Sequence, residues 1–201
     1  MVGRKRQTTH APAIVSARTY AWILANPGIR RALLPGDILS SPYEVLEYDA
    51  TLTLHDPAGM RATFARQQRI RFLQDGVTAI LDHAWGDGVV VTHYTNDAGH
   101  LEESFNDAGR RHLVIGLRRR MAQGDTLAFA VQRQAMVGFT QAEEWLETTI
   151  DHPVSRLRRT ILFPKDRPCR RAVLDIAGHR LRLPISHRSA GTTMVRVAIA
   201  E

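Results

Sequence analysis

Cysteine and long apolar runs are the two features that this 201-residue chain has least of. Its one cysteine, Cys169, excludes a disulfide within the chain and a zinc site built from several cysteines. No apolar stretch approaches the roughly 18–20 residues that a membrane-spanning helix needs. The apolar part of the basic N-terminus is broken by Ser16, Arg18 and Thr19, which is unlike a signal peptide. We therefore expect a soluble, cytoplasmic protein without a membrane partner.

Sequence motifs for catalysis and cofactor binding are also missing. The chain has no Gly-x-Ser-x-Gly motif, no phosphate-binding loop and no dinucleotide-binding fingerprint. Seven of its nine histidines show no recurring metal-ligand spacing. The sequence predicts no catalytic residue, no cofactor and no metal site, and it favours a non-enzymatic role.

The densest polar cluster joins Asp82 and His83 to His93 across a glycine-rich turn. Asp87-Gly88 favours a two-residue hairpin loop, which would place Asp82 opposite His93 and His83 on the other face. A three-residue loop would put both histidines on one face, where a hydrolytic metal ion is the alternative. We favour the two-residue loop, and with it a surface contact rather than a metal site.

Cys169 is the one candidate thiol nucleophile. Arg167, Arg170 and Arg171 flank it and would lower its pKa, which would raise the thiolate fraction. No histidine lies close in sequence to act as its base. We interpret Cys169 as a structural cysteine.

Positive charge is nearly all arginine, and it is segregated along the chain. Of 27 basic residues only Lys5 and Lys165 are lysines. Residues 1–31 carry six basic and no acidic side chains, residues 32–151 carry 10 and 17, and residues 152–201 carry 11 and three. A GC-rich genome would explain the choice of arginine but not its placement. The net charges of +6, −7 and +8 predict a partner that responds to them.

Short runs of alternating apolar and polar residues dominate the chain after residue 41. About ten or eleven such runs, separated by Asp-Gly and similar turns, predict antiparallel strands without long helices between them. We predict an all-β fold, an immunoglobulin-like antiparallel β-sandwich with a short helical N-terminal extension. Residues 1–40 would form a basic arm and short helix, and residues 41–201 the sandwich domain. Thr140–Leu146 is either a helix or the entry to a strand.

Two segments are candidate contact surfaces. A predicted hairpin over residues 156–171 would present basic side chains for partner or phosphate contact: Arg156, Arg158, Arg159, Lys165, Arg167, Arg170 and Arg171. Aromatic side chains that could stack on bases are scarce there, and pairing with the acidic middle of the chain is the alternative. Tyr20 and Trp22, on the short N-terminal helix, are a candidate docking element, unless that helix covers an edge strand of its own sandwich.

The segregated charge, without a catalytic motif, predicts a non-enzymatic protein-interaction module. It would be an accessory or regulatory subunit that binds an acidic protein partner through its basic surfaces. The alternative is a nucleic-acid-binding protein that uses the Arg-rich hairpin at residues 156–171.

Overall fold

All regular structure in the described part of the chain is β-strand. The computed structural model describes residues 42–107, 109–148, 153–176, 179–188 and 191–200. The predicted all-β class is confirmed for these ranges, while the immunoglobulin-like topology stays a prediction. The predicted helical extension, with Tyr20 and Trp22, lies outside the described residues. None of the described segments forms a helix that could cross a membrane.

Twelve strands follow one another along the chain. They are β1 (Tyr43–Leu54), β2 (Arg61–Phe72), β3 (Val77–Ala84), β4 (Val89–Asn96), β5 (Gly99–Asp107), β6 (Arg110–Met121), β7 (Thr126–Met136), β8 (Arg156–Phe163), β9 (Val173–Ile176), β10 (His179–Arg182), β11 (Ile185–His187) and β12 (Thr193–Ala200). Thr140–Leu146 is neither helix nor strand.

The strands form a large sheet, a small sheet and a separate pair. The large sheet has the order β11-β12-β8-β1-β2-β7-β4, the small sheet has the order β3-β6-β5, and β9 pairs with β10. Neighbouring strands are antiparallel except β1 and β8, which run parallel. The two sheets share one apolar core, in which Ile70 and Phe72 of the large sheet meet Ile80 and Ile115 of the small one. The arrangement is therefore a sandwich of two unequal sheets.

The predicted hairpin around Asp87-Gly88 is wrong. Strand β3 pairs with β6 and strand β4 pairs with β7, so the chain crosses from the small sheet to the large one between them. Gly88 has a φ of +68°, and a Cβ there would lie 2.3 Å from the carbonyl oxygen of Met136. The glycine thus serves a close crossing of the backbone rather than a two-residue turn. The predicted pairing of Asp82 with His93 fails for the same reason.

The predicted hairpin over residues 156–171 does not form either. Strand β8 lies between β1 and β12, and its antiparallel partner is β12. Arg170 and Arg171 lie in an irregular stretch before β9 and pair with no strand. The two ends of the predicted hairpin therefore do not face each other across a turn.

Candidate anion-binding site

Three arginines project from the large sheet into the space between the sheets. In β2, Ala62, Phe64, Ile70 and Phe72 are buried on one parity of the strand. Arg66 has the same parity, and its side chain is only 12% exposed. Strand alternation alone therefore directs this guanidinium inward.

Arg66 has an arginine neighbour on either side. In the register of the sheet, Ala50 of β1 pairs with Arg66 on one side and with Arg159 of β8 on the other. Arg133 of β7 lies opposite Phe64, and its side chain is 13% exposed. The small side chain of Ala50 leaves room between its two arginine neighbours.

One carboxylate from the small sheet meets this group. Asp82 of β3 is 1% exposed, and its Oδ1 accepts a hydrogen bond of 2.9 Å from Nη1 of Arg66. Its Oδ2 accepts a hydrogen bond of 3.1 Å from the Tyr94 hydroxyl, while Nη1 of Arg133 remains 4.0 Å away. Burial would raise the pKa of Asp82, but the attraction of Arg66 and Arg133 outweighs it and lowers that pKa. Asp82 is therefore ionised and already fully engaged.

The nearest carboxylate to Arg133 is that of Asp82, at 4.0 Å, and Arg159 forms no ion pair among the described residues. Arg133 donates a long hydrogen bond of 3.4 Å to the carbonyl of His83. Arg159 donates to the Tyr48 hydroxyl at 3.4 Å and to the carbonyl of Glu147 at 3.1 Å. Burial lowers the pKa of both guanidiniums, and for Arg133 the attraction of Asp82 offsets only part of it. Both charges are thus held away from water without full compensation.

The same two guanidiniums lie against one aromatic ring. The Cζ atom of Arg133 is 4.2 Å from the ring centroid of Phe64, and that of Arg159 is 5.2 Å from it. The buried Nε of Arg66 has no hydrogen-bond partner in the described part of the chain. Three guanidiniums and one buried carboxylate leave an excess of two positive charges here.

A cavity of about 150 Å³ opens between these groups. Its apolar wall includes Phe64, Phe129 and Leu157, and Trp85 and Trp145 also line it. Besides Asp82, three acidic residues line it: Asp87 and Glu147 are exposed, and Glu144 is paired with Arg167 at 3.6 Å. The cavity therefore combines an apolar wall with a cationic one.

Residues 139–148 run along one side of this cavity without regular structure. Arg167 holds the start of the segment, because its guanidinium donates to the carbonyl oxygens of Phe139 and Gln141. Arg159 holds its other end through the carbonyl of Glu147. Two arginines of the predicted contact surface thus stabilise the wall of the pocket.

The remaining predicted contact residues lie on β8 and in the stretch that follows it. On the outer face of the sheet, Arg156 pairs with Glu47 at 3.2 Å and Arg158 with Asp49 at 2.9 Å. Arg159 follows Arg158 in the strand and therefore points to the opposite face, into the pocket. Arg156 and Arg158 therefore pair with acidic residues from the middle of the chain, which is the alternative that the sequence analysis left open.

Lys165, Arg170 and Arg171 are exposed in the stretch that follows β8. Their neighbour Cys169 does not have the lowered pKa that its sequence context predicts. Partial burial raises the pKa of the thiol instead, and the thiol lies 3.4 Å from the carbonyl oxygen of Arg171.

In the described residues, no group of three or more His, Cys, Asp or Glu side chains could hold a metal ion.

Sequence reasoning missed Arg66, Arg133 and Tyr94. The signal for Arg66 was present, because the apolar parity of β2 continues on both sides of it. The same test applies to Arg133, which shares its parity with the buried Phe129 and Val131 of β7. No such signal exists for Tyr94, which meets Asp82 only through the packing of the two sheets.

Comparisons with known proteins identify no family for this chain. No protein-family model matches it, and no curated protein matches it. Among solved structures it is similar to the M1 zinc metallopeptidase from Deinococcus radiodurans, with a TM-score of 0.47 and 12% identity over 78% of this chain and 39% of that one. A mutant of that enzyme gives 0.48 and 13% over 84% and 41%. The chain spans about two fifths of their length, and likenesses this distant carry no functional argument.

Proposed function

We propose that the protein is a non-enzymatic binding protein that takes up a negatively charged ligand in the pocket between its sheets. One observation carries the proposal. Arg133 and Arg159 are largely buried against the same Phe64 ring, and neither has a carboxylate within 3.5 Å among the described residues.

Unmatched buried charge is the physical reason to expect a ligand. Removing an ion from water costs several kcal/mol even after the protein relaxes, and buried charges are therefore usually paired. An arginine fork fits the two oxygens of a carboxylate or phosphate group, and such hydrogen bonds are about twice as strong as neutral ones. A bound anion would supply the partner that the described residues do not.

The interaction module predicted from the sequence remains a proposal in a narrower form. The acidic group of a partner would enter the pocket, and Lys165, Arg170 and Arg171, which are exposed, remain candidate contacts. The nucleic-acid alternative also remains a prediction, although the hairpin at residues 156–171 on which it was based does not form. Cytoplasmic location and the immunoglobulin-like topology remain predictions as well.

Thermal unfolding of the full chain with a series of anions tests the proposal. A ligand that binds only the folded state, at one hundred times its Kd, stabilises it by about 2.7 kcal/mol. For a domain of this size that corresponds to a rise in Tm of roughly 5–11 °C. We expect organic or inorganic anions to raise the Tm and chloride at the same ionic strength to leave it unchanged.

Two neighbouring arginines provide a matched pair of variants. Arg159→Met removes a pocket guanidinium, whereas Arg158→Met removes one from the outer face of the same strand. We expect the first to abolish the ligand-induced rise in Tm and the second to preserve it. If no anion raises the Tm, or if both variants lose the effect equally, the proposed site is wrong.

A further inference from the structure

We infer that the ligand of this pocket is a small organic carboxylate whose carboxyl group lies between Arg133 and Arg159 and whose body is a single ring or a branched aliphatic group. The inference rests on the proposed function and specifies its ligand class. Charge, wall chemistry and volume each support it.

Charge favours a monoanion over a phosphate dianion. Asp82 forms part of the pocket wall and stays ionised, and Asp87, Glu144 and Glu147 also line the cavity. A second negative charge on the ligand would double the repulsion from these groups. The hydrogen-bond donors that reach the cavity belong to two guanidinium groups. The two oxygens of one carboxylate can accept hydrogen bonds from both groups.

The walls favour a ligand with an apolar body. Beside the guanidiniums, on the same face of the large sheet, lie Phe64, Phe129 and Leu157, and Val154 also lines the cavity; none of these side chains offers a hydrogen bond. A phosphate ion placed here would lose water on the apolar side without gaining a partner. A ring or branched chain would instead exclude water from that wall.

The volume sets the size of that body. The cavity measures about 150 Å³, and an apolar protein cavity of about that volume admits benzene. One ring therefore fills the cavity, and its carboxyl group would extend to the arginines. Two fused rings would not fit without movement of the wall.

Two tryptophans give the site an optical readout. Trp85 and Trp145 both line the cavity, and Trp145 is 70% exposed. A ring that enters beside them removes water from their indoles, so tryptophan fluorescence should change on binding. A Trp145→Phe variant, with that indole removed, should give a smaller fluorescence change.

Isothermal titration of the full chain with four probes tests the ligand class. The probes are benzoate, acetate, benzyl alcohol and inorganic phosphate. We expect benzoate to bind at least tenfold more tightly than acetate, because its ring covers the apolar wall. Benzyl alcohol, which has the ring without the charge, should bind at least a hundredfold more weakly than benzoate, since both guanidiniums would stay unpaired.

Two variants locate the binding. Arg159→Met should weaken benzoate binding at least a hundredfold, and Arg158→Met should leave it within twofold of the parent. If Arg159→Met does not fold, a higher salt concentration on the parent provides a second measurement. Salt screens buried ion pairs only weakly. The affinity for benzoate should therefore fall by less than threefold between ~0.05 and ~0.5 M sodium chloride.

Each contrary outcome has a separate meaning. Phosphate binding as tightly as benzoate would overturn the carboxylate inference and leave the proposed function standing. Benzoate binding that is unaffected by Arg159→Met would overturn the assigned location. If none of the charged probes binds, both the inference and the proposed function are wrong.

Discussion

Asp82 is the residue whose charge matters most to the folded state. Its carboxylate is the one that touches Arg66 in the described residues, and it is 1% exposed. Asp82→Asn keeps the shape of the side chain and removes the negative charge. We expect the variant to be strongly destabilised, because Arg66 and Arg133 would lose their nearest carboxylate among the described residues.

The expected magnitude follows from the contacts. Removing one partner of a buried ion pair typically costs about 3–5 kcal/mol, because the other charge stays buried. The Arg66 contact of 2.9 Å with a nearly inaccessible carboxylate belongs to this class. At 2–4 °C per kcal/mol, the Tm should fall by roughly 6–20 °C. Asp49→Asn is the matched control, because Asp49 forms an ion pair of the same length on the surface.

Urea unfolding at pH 7 and at acid pH provides the assay. The folded-state pKa of Asp82 is lowered, so its contribution is fully present above the unfolded value of about 3.9 and is lost as the pH falls through the folded value. The difference between parent and variant should therefore be largest at pH 7 and narrow below about pH 4. A loss at pH 7 no larger than that of Asp49→Asn would refute the assignment of a buried, uncompensated cluster.

Three further predictions concern other parts of the molecule. Arg133→Met should raise the free energy of unfolding of the ligand-free protein by about 1–2 kcal/mol. The reason is that the cost of desolvating the charge exceeds the contact with the Phe64 ring, which is worth about 0.5–2 kcal/mol. A lower urea midpoint for the variant would contradict this. Gly88→Ala should cost more than 1 kcal/mol, because its Cβ would lie 2.3 Å from a carbonyl oxygen at a positive φ, and equal stability would be inconsistent with the crossing described. A double-mutant cycle on Arg158 and Asp49, measured by urea unfolding, should give a coupling of at most about 1 kcal/mol, as for other exposed pairs.

The strands were largely predictable because the alternation of apolar and polar residues within each strand reflects which side chains are buried. In β2, apolar residues of one parity at both ends of the strand, together with the flanking turn residues, are enough to place Arg61–Phe72 in the chain. The partner of a strand is not encoded in this way. Nothing in the residues of β1 indicates that β8 rather than a nearer strand lies beside it, so the hairpin at 156–171 was a reasonable but wrong inference.

The site was half predictable for the same reason. The parity of β2 and β7 places Arg66 and Arg133 on the buried face, and this can be read from the sequence. The role of Asp82 cannot, because its partners come from the other sheet and depend on how the two sheets pack. The dipeptide Asp87-Gly88 is typical of a tight hairpin turn, and it therefore favoured a local pairing of Asp82 over its contact with Arg66 on the other sheet.

The parallel pairing of β1 with β8 has a consequence for synthesis of the protein. Asp49 and Arg158, neighbours in the folded sheet, are 109 residues apart in the chain. At about 5–20 residues per second, the ribosome needs roughly 5–20 s to make that interval. Until then one edge of β1, with the apolar Leu52 and Leu54, has no strand to cover it. During that interval the uncovered edge is available for pairing with another copy of the chain.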